Sequence, residues 1–133
     1  MERELRENSP QKFDLLVLDA FAGDAIPVHL LTKDAFQIYL NELGSDGIIA
    51  AHLTNTYLDL RPALERVAQE MGLDSIFYHS DGDNLVTTYN DWTLLSRGAV
   101  LRRPGLFSAG ERLHYSAKRL WTDDYSNLLQ VLR

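Results

Sequence analysis

An α/β domain, one half of a doubly wound sheet, is the fold class this sequence predicts, and three observations carry the prediction. Apolar runs of strand length alternate with stripes of helical period, the first run ends at a carboxylate, and glycine and proline fall between the runs. With 133 residues, 45% of them hydrophobic, the chain can bury one core and is too short for two.

Residues 1–12 form a polar N-terminal tail, holding three Glu and two Arg before Ser9-Pro10, where a frayed helix would stop. Residues 13–133 form the domain. Phe13 to Asp19 is a nearly continuous apolar run ending in a carboxylate, the pattern of a strand buried on both faces in a parallel sheet. Gly23, Asp24 and Pro27 break any period, which places a loop from Ala20 to His29. Thr32 is an expected N-cap, and Ala35, Phe36, Ile38, Tyr39, Leu40 and Leu43 give a helical stripe that stops near Gly44. Gly47 to Leu53 is a second buried strand, with a loop over Thr54 to Tyr57.

Asp59 or a neighbour caps the next helix, which runs through Met71 and tolerates Pro62 in its first turn. Ser75 to Tyr78 is a third strand, followed by a turn cluster from Ser80 to Asn84, and Trp92 to Leu95 is a fourth. Arg102 to Gly110 has no clear period and is expected to wrap the surface. Thr122 caps an expected last helix from Asp123 to Leu132. The order of elements implies right-handed parallel crossovers, with the fourth strand returning antiparallel after a short connection. In such sheets ligands lie beyond the carboxyl ends of the strands, which gathers Asp19 to His29, Thr54 to Tyr57 and His79 to Asp83 on one rim.

Composition narrows the function classes. Nineteen acidic against thirteen basic residues give a formal charge of −6, which argues against nucleic acid, whose affinity comes from Lys and Arg releasing counterions. The absence of cysteine removes disulfides, thiolate metal sites and Cys nucleophiles and fits a reducing compartment. No apolar stretch reaches the roughly 18 residues of a spanning helix, and Met1 to Gln11 lacks the apolar core of a secretory signal. A cytoplasmic location, or the cytosolic part of a membrane-fused protein, is expected, without membrane insertion by this chain.

The loop from Asp19 to Pro27 is the most informative stretch, because it sets two carboxylates at the end of a central strand. A carboxylate there can accept a proton from an amine or hold an ammonium group; the plainer reading is that both aspartates shape turns beside Gly23. His52 ends the second strand next to Asn55 and Tyr57, although a structural histidine with satisfied nitrogens is the commoner case. His29, His79 and His114 share no ligand spacing with it, so no zinc site is expected. Trp121 and Tyr125 can stack on a ligand, but beside an amphipathic helix they more often serve a core or an interface. Asp123 and Asp124 are explained by the helix dipole. Ser, His and Asp all occur, yet no G-x-S-x-G elbow favours a hydrolase.

The segments FDLLVLDAFAGDAIPVHLLT, DGIIAAHLTNTYLDL, DWTLLSR and LWTDDYSNLL, in this order, resemble the spermidine synthase-like proteins of the polyamine aminopropyltransferase superfamily. The likeness is closest to a bacterial branch often fused to transporter-like membrane segments, and it extends over most of the chain from Phe13. It implies a three-layer, Rossmann-like fold of the AdoMet-methyltransferase type, of which this chain corresponds to the C-terminal portion: a partial sheet, mostly parallel, with a last antiparallel strand. It further implies Asp19 as the catalytic proton acceptor, Asp19 and Ala20 as cofactor contacts, and Asp24, Asn55 and Tyr57 as substrate contacts. In the family the two aspartates stand three apart; here they stand five apart.

The implied reaction is amine attack on decarboxylated AdoMet, with a polyamine as the small-molecule partner. No G-x-G-x-x-G turn occurs in the sequence, so this chain alone is expected to bind no AdoMet-type cofactor and to be inactive by itself; decarboxylated AdoMet or AdoMet belongs to a full-length parent. Two alternatives are carried: an AdoMet-dependent methyltransferase fragment, since fold does not choose the transferred group, and a non-catalytic interaction domain. The first strand, lacking the neighbour such a fold would give it, is expected to recruit a second copy or the missing N-terminal half, making a homodimer or larger assembly.

Overall fold

The computed structural model describes residues 12–19, 27–55, 58–82, 89–107 and 110–111. The N-terminal tail, the expected last helix, and the candidate residues Ala20, Asp24 and Tyr57 lie outside the described residues, as do His114, Trp121 and Tyr125. Among the described residues, four strands form one sheet: β1 (Phe13–Leu18), β2 (Leu43–His52), β3 (Asp74–Ser80) and β4 (Asn90–Ser96), in spatial order β1-β2-β4-β3. Two long helices, α1 (Lys33–Glu42) and α2 (Arg61–Met71), connect them, and a 3₁₀ turn (Ala99–Arg102) leads to the short α3 (Pro104–Phe107).

The local signals act as chemistry dictates. The Thr32 hydroxyl accepts the Ala35 N–H at 3.2 Å and donates to the His29 carbonyl at 3.0 Å, so one buried side chain ends the preceding turn and starts α1. Asp59 Oδ1 accepts the Arg61 N–H at 3.1 Å and so covers the start of α2, while Leu60 is the residue at the helix boundary. Gly72, at φ 65°, closes α2 in the left-handed region where glycine has no steric penalty, and the Leu73 N–H reaches back to Ala68 at 2.8 Å.

The expectation of a mostly parallel sheet is corrected. β1 pairs β2 in parallel, but β4 inserts between β2 and β3 and is antiparallel to both, so two of the three ladders are antiparallel. The last strand is antiparallel as expected, and β1, β2 and β3 still run the same way. Their carboxyl ends therefore share one rim, with the start of β4 among them. β2 also begins earlier than its apolar run, at Leu43, because the Leu43–Phe13 pairing extends the ladder past an irregularity between Phe13 and Leu15.

Sheet alternation sorts the side chains. Leu18, Ile49, Ala51, Leu53 and Leu95 face α1 and α2, where they meet Phe36, Leu40, Leu64 and Val67 in the main core. The opposite face holds a smaller cluster in which Ile76 packs on Val100 and Leu101, with Leu94 and Leu106 beside them. The segment expected to wrap the surface thus follows directly on buried Leu101 and is anchored through Leu106, whose carbonyl accepts the Tyr78 hydroxyl proton.

β1 is not buried on both faces. Leu18 is buried and Leu16 half-buried toward the helices, but Phe13, Leu15 and Val17 are 40%, 55% and 49% exposed on the other side. An apolar run reads the same whether a second neighbour covers the strand or not; among the described strands β1 is an edge.

Candidate functional site

Extending the β1–β2 register by one residue past Leu18↔Ala51 sets Asp19 beside His52, on the sheet face opposite α1 and α2. His52 Nδ1 lies 2.7 Å from Asp19 Oδ1, and its Nε2 lies 2.8 Å from the Thr54 hydroxyl. The ring is also stacked on Trp92, its antiparallel partner on β4, at 4.6 Å between centroids and 15° between planes. The imidazole is thus fixed at both nitrogens and on one face, and its side chain is 15% exposed while that of Asp19 is 61% exposed. Among the described residues nothing bonds Asp19 Oδ2.

Thr54 is itself held, because its oxygen accepts the Asp91 N–H at 2.9 Å, while the Leu53 N–H donates to the Asp91 carbonyl at 2.7 Å. Carboxylate, imidazole and hydroxyl in a row also describe an acyl-transfer triad. The Asp91 N–H argues against that use, since a hydroxyl oxygen that accepts a hydrogen bond gives up the electron density a nucleophile needs. The arrangement instead presents an exposed carboxylate, oriented from behind, at the end of a strand.

A second cluster occupies the helix face of the same rim. A cavity of about 610 Å³ is lined by Asp59, Arg61, Phe77, His79, Tyr89, Asp91, Gly110 and Glu111. Arg61 donates to both Asp59 oxygens at 2.7 Å and lies 5.0 Å over the Phe77 ring. His79 faces its cross-strand partner Asp91 at 2.6 Å through Nδ1 and Asp81 at 2.8 Å through Nε2. The bond to Asp91, then that to Asp81, raises the His79 pKa above its ordinary 6.5. Because the folded value is raised, this group's contribution to stability is fully present below its unfolded pKa and is lost as pH rises through the folded pKa. An NMR titration of the His79 ring is expected to give a midpoint above 6.5 that falls in Asp81→Asn; a midpoint at or below 6.5 contradicts the assignment.

Of the residues singled out from sequence, the structure brings Asp19 and His52 together and gives Asn55 a local hydrogen bond. Asn55 is 5% exposed, and its Oδ1 accepts the Leu58 N–H at 2.9 Å, shaping the loop that leads into α2. His52 has both nitrogens satisfied, as the structural reading holds, but one of them is satisfied by the candidate acid-base residue itself. The sequence reading set Thr54 and His79 on the rim without a role, and Trp92, Asp91 and most of the cavity residues escaped it, because their grouping depends on β4 lying between β2 and β3. Among the described residues, no group of three His, Asp or Glu could hold a metal ion, and no helix is long and apolar enough to cross a membrane.

No family model matches the chain. A stretch of 46 residues, 35% of this chain, is 39% identical to a polyamine aminopropyltransferase of Vibrio vulnificus strain CMCP6. The match spans 15% of that relative's length. It gives a partial, spermidine synthase-like relationship.

Proposed function

We propose that this chain is the amine-facing part of a spermidine synthase-like enzyme, with the Rossmann-like fold of AdoMet-dependent transferases, in which Asp19 takes the proton from the attacking amine. The observation that carries the reading is the Asp19 carboxylate: it stands exposed at the carboxyl end of β1, one oxygen oriented by His52 and the other available to an ammonium or amine group. The partial likeness to an enzyme named polyamine aminopropyltransferase supports it. As Asp19 takes a proton from the substrate ammonium, the nitrogen lone pair becomes free to attack the carbon bonded to the donor's sulfonium; the new C–N bond forms as the C–S bond breaks, and the sulfur leaves as a neutral thioether. The sequence has no glycine-rich turn of the kind that holds a nucleotide, so beyond Asp19 and Ala20 the contacts to the nucleotide donor are assigned to other parts of a full-length parent. The chain alone is expected to give no saturable calorimetric signal with micromolar AdoMet or its decarboxylated form. The test is a transfer assay with decarboxylated AdoMet and a panel of diamines, on the protein expressed with any coding sequence upstream of Met1. An amine product heavier by one aminopropyl group is expected; a methylated product would move the chain to the methyltransferases.

A non-catalytic role through contacts is favoured by one observation, the exposed stripe of Phe13, Leu15 and Val17 on edge strand β1. A two-fold axis perpendicular to the sheet and passing through Leu15 would set Leu15 against its copy and Phe13 against Val17 of the copy, a self-complementary antiparallel pairing. A homodimer is therefore expected, with sedimentation coefficients that rise with concentration and with Leu15→Lys abolishing the rise. A concentration-independent monomer contradicts it.

A further inference from the structure

The His52–Thr54–Asp91 chain of hydrogen bonds has a direction, and the direction follows from what each atom can donate. An ionised Asp19 offers only acceptors, so the 2.7 Å bond requires the proton on His52 Nδ1. The Asp91 backbone N–H can only donate, so at 2.9 Å it occupies a lone pair of Thr54 Oγ. The Thr54 hydroxyl proton is then best placed on the 2.8 Å line to His52 Nε2, which in neutral imidazole is the acceptor. Two residues that touch no substrate thereby set the state of one that touches Asp19.

We infer that Thr54, held by the Asp91 backbone, is a positioning residue that fixes His52 as its Nδ1-protonated tautomer and so aims an N–H at Asp19 Oδ1. Trp92 stacking keeps the ring in the plane this requires. The exposed carboxylate is held through Oδ1, and an amine that meets Oδ2 meets an oriented acceptor. The tautomer assignment stands on the geometry; its catalytic consequence rests on the reading of Asp19 as the base.

The experiment is a ¹H–¹⁵N multiple-bond correlation spectrum of the uniformly ¹⁵N-labelled chain at pH 9, with the His52 ring assigned by its loss in His52→Gln. The expected pattern has Nδ1 protonated over Nε2 by roughly tenfold, the bias one hydrogen bond supplies. Thr54→Val, which removes the Nε2 partner but leaves the Asp19 bond, should reduce that preference several-fold, and Thr54→Ser, which keeps the hydroxyl, should restore it. A wild-type spectrum with Nε2 protonated, or an even mixture, overturns the inference without a variant having to fold. So does a Thr54→Val protein whose tautomer ratio equals that of the wild type. In the transfer assay, Thr54→Val is expected to lower kcat and alter its pH profile with KM unchanged, rescued by Thr54→Ser. Failure of transfer by the wild-type protein would overturn the reading of Asp19 and leave the tautomer result intact.

Discussion

Replacing Asp19 by asparagine is expected to cut aminopropyl transfer by about 10²- to 10⁴-fold, the range seen when a positioned proton acceptor is removed. The change is nearly isosteric. Asparagine can still offer its carbonyl oxygen to the His52 Nδ1–H, so the 2.7 Å bond and the ring's stacking on Trp92 have no reason to break. What is lost is the ability to take a proton. Because the side chain is 61% exposed and its hydrogen bond to His52 lies at the surface, stability should move by no more than about 0.5 kcal/mol. The check is kcat/KM beside a urea melt of the same variant. A variant that folds normally and retains full transfer removes Asp19 from its role.

The largest effect on the fold is expected from Phe36→Ala. Phe36 is fully buried, projects from the first turn of α1, and meets Tyr39 edge-on at 5.4 Å. It packs in the cluster that joins α1 to Leu18 and Ile49 on the sheet. Truncation removes the transfer free energy of the ring and leaves a cavity, together about 3–5 kcal/mol. That is a large share of the roughly 5–15 kcal/mol that holds a domain of this size. Urea denaturation should show the midpoint falling with the slope unchanged, while Phe36→Leu, which keeps most of the volume, should cost less than about 1.5 kcal/mol. Equal effects of the two would mean that volume at this position does not matter.

What the sequence disclosed and what it withheld divide along the range of the interactions. The Thr32 cap acts within a turn of the chain, so the start of α1 was legible from the residues at that point, as was the end of α2 at Met71. The strand runs were legible as well, since apolar content marks burial. The place of β4 was not, because whether a returning strand adds at an edge or inserts between β2 and β3 depends on pairings up to 48 residues apart in the chain, such as Ile48 with Ser96. The bare face of β1 was misread for a related reason: Leu15 and Val17 are apolar with or without a neighbour.

The candidate site follows the same rule. Asp19 stood out because a carboxylate closing an apolar strand is conspicuous by itself. Its contact with His52, across 33 residues, needs the parallel register, and the Thr54–Asp91 bond, across 37, needs β4 in the middle of the sheet. His79 and Asp91 are directly opposed across the antiparallel β3–β4 pair, a fact invisible until that pairing is known.

The most direct test of the account is a titration of the ¹⁵N-labelled chain with 1,4-diaminobutane, followed by the amide of Asp19 and the ring nitrogens of His52. An amine-facing site predicts saturable shifts at both residues that disappear in Asp19→Asn, whose fold should be unchanged. Absence of saturable shifts there, or the same shifts in Asp19→Asn, would contradict the claim that Asp19 is where an amine is received.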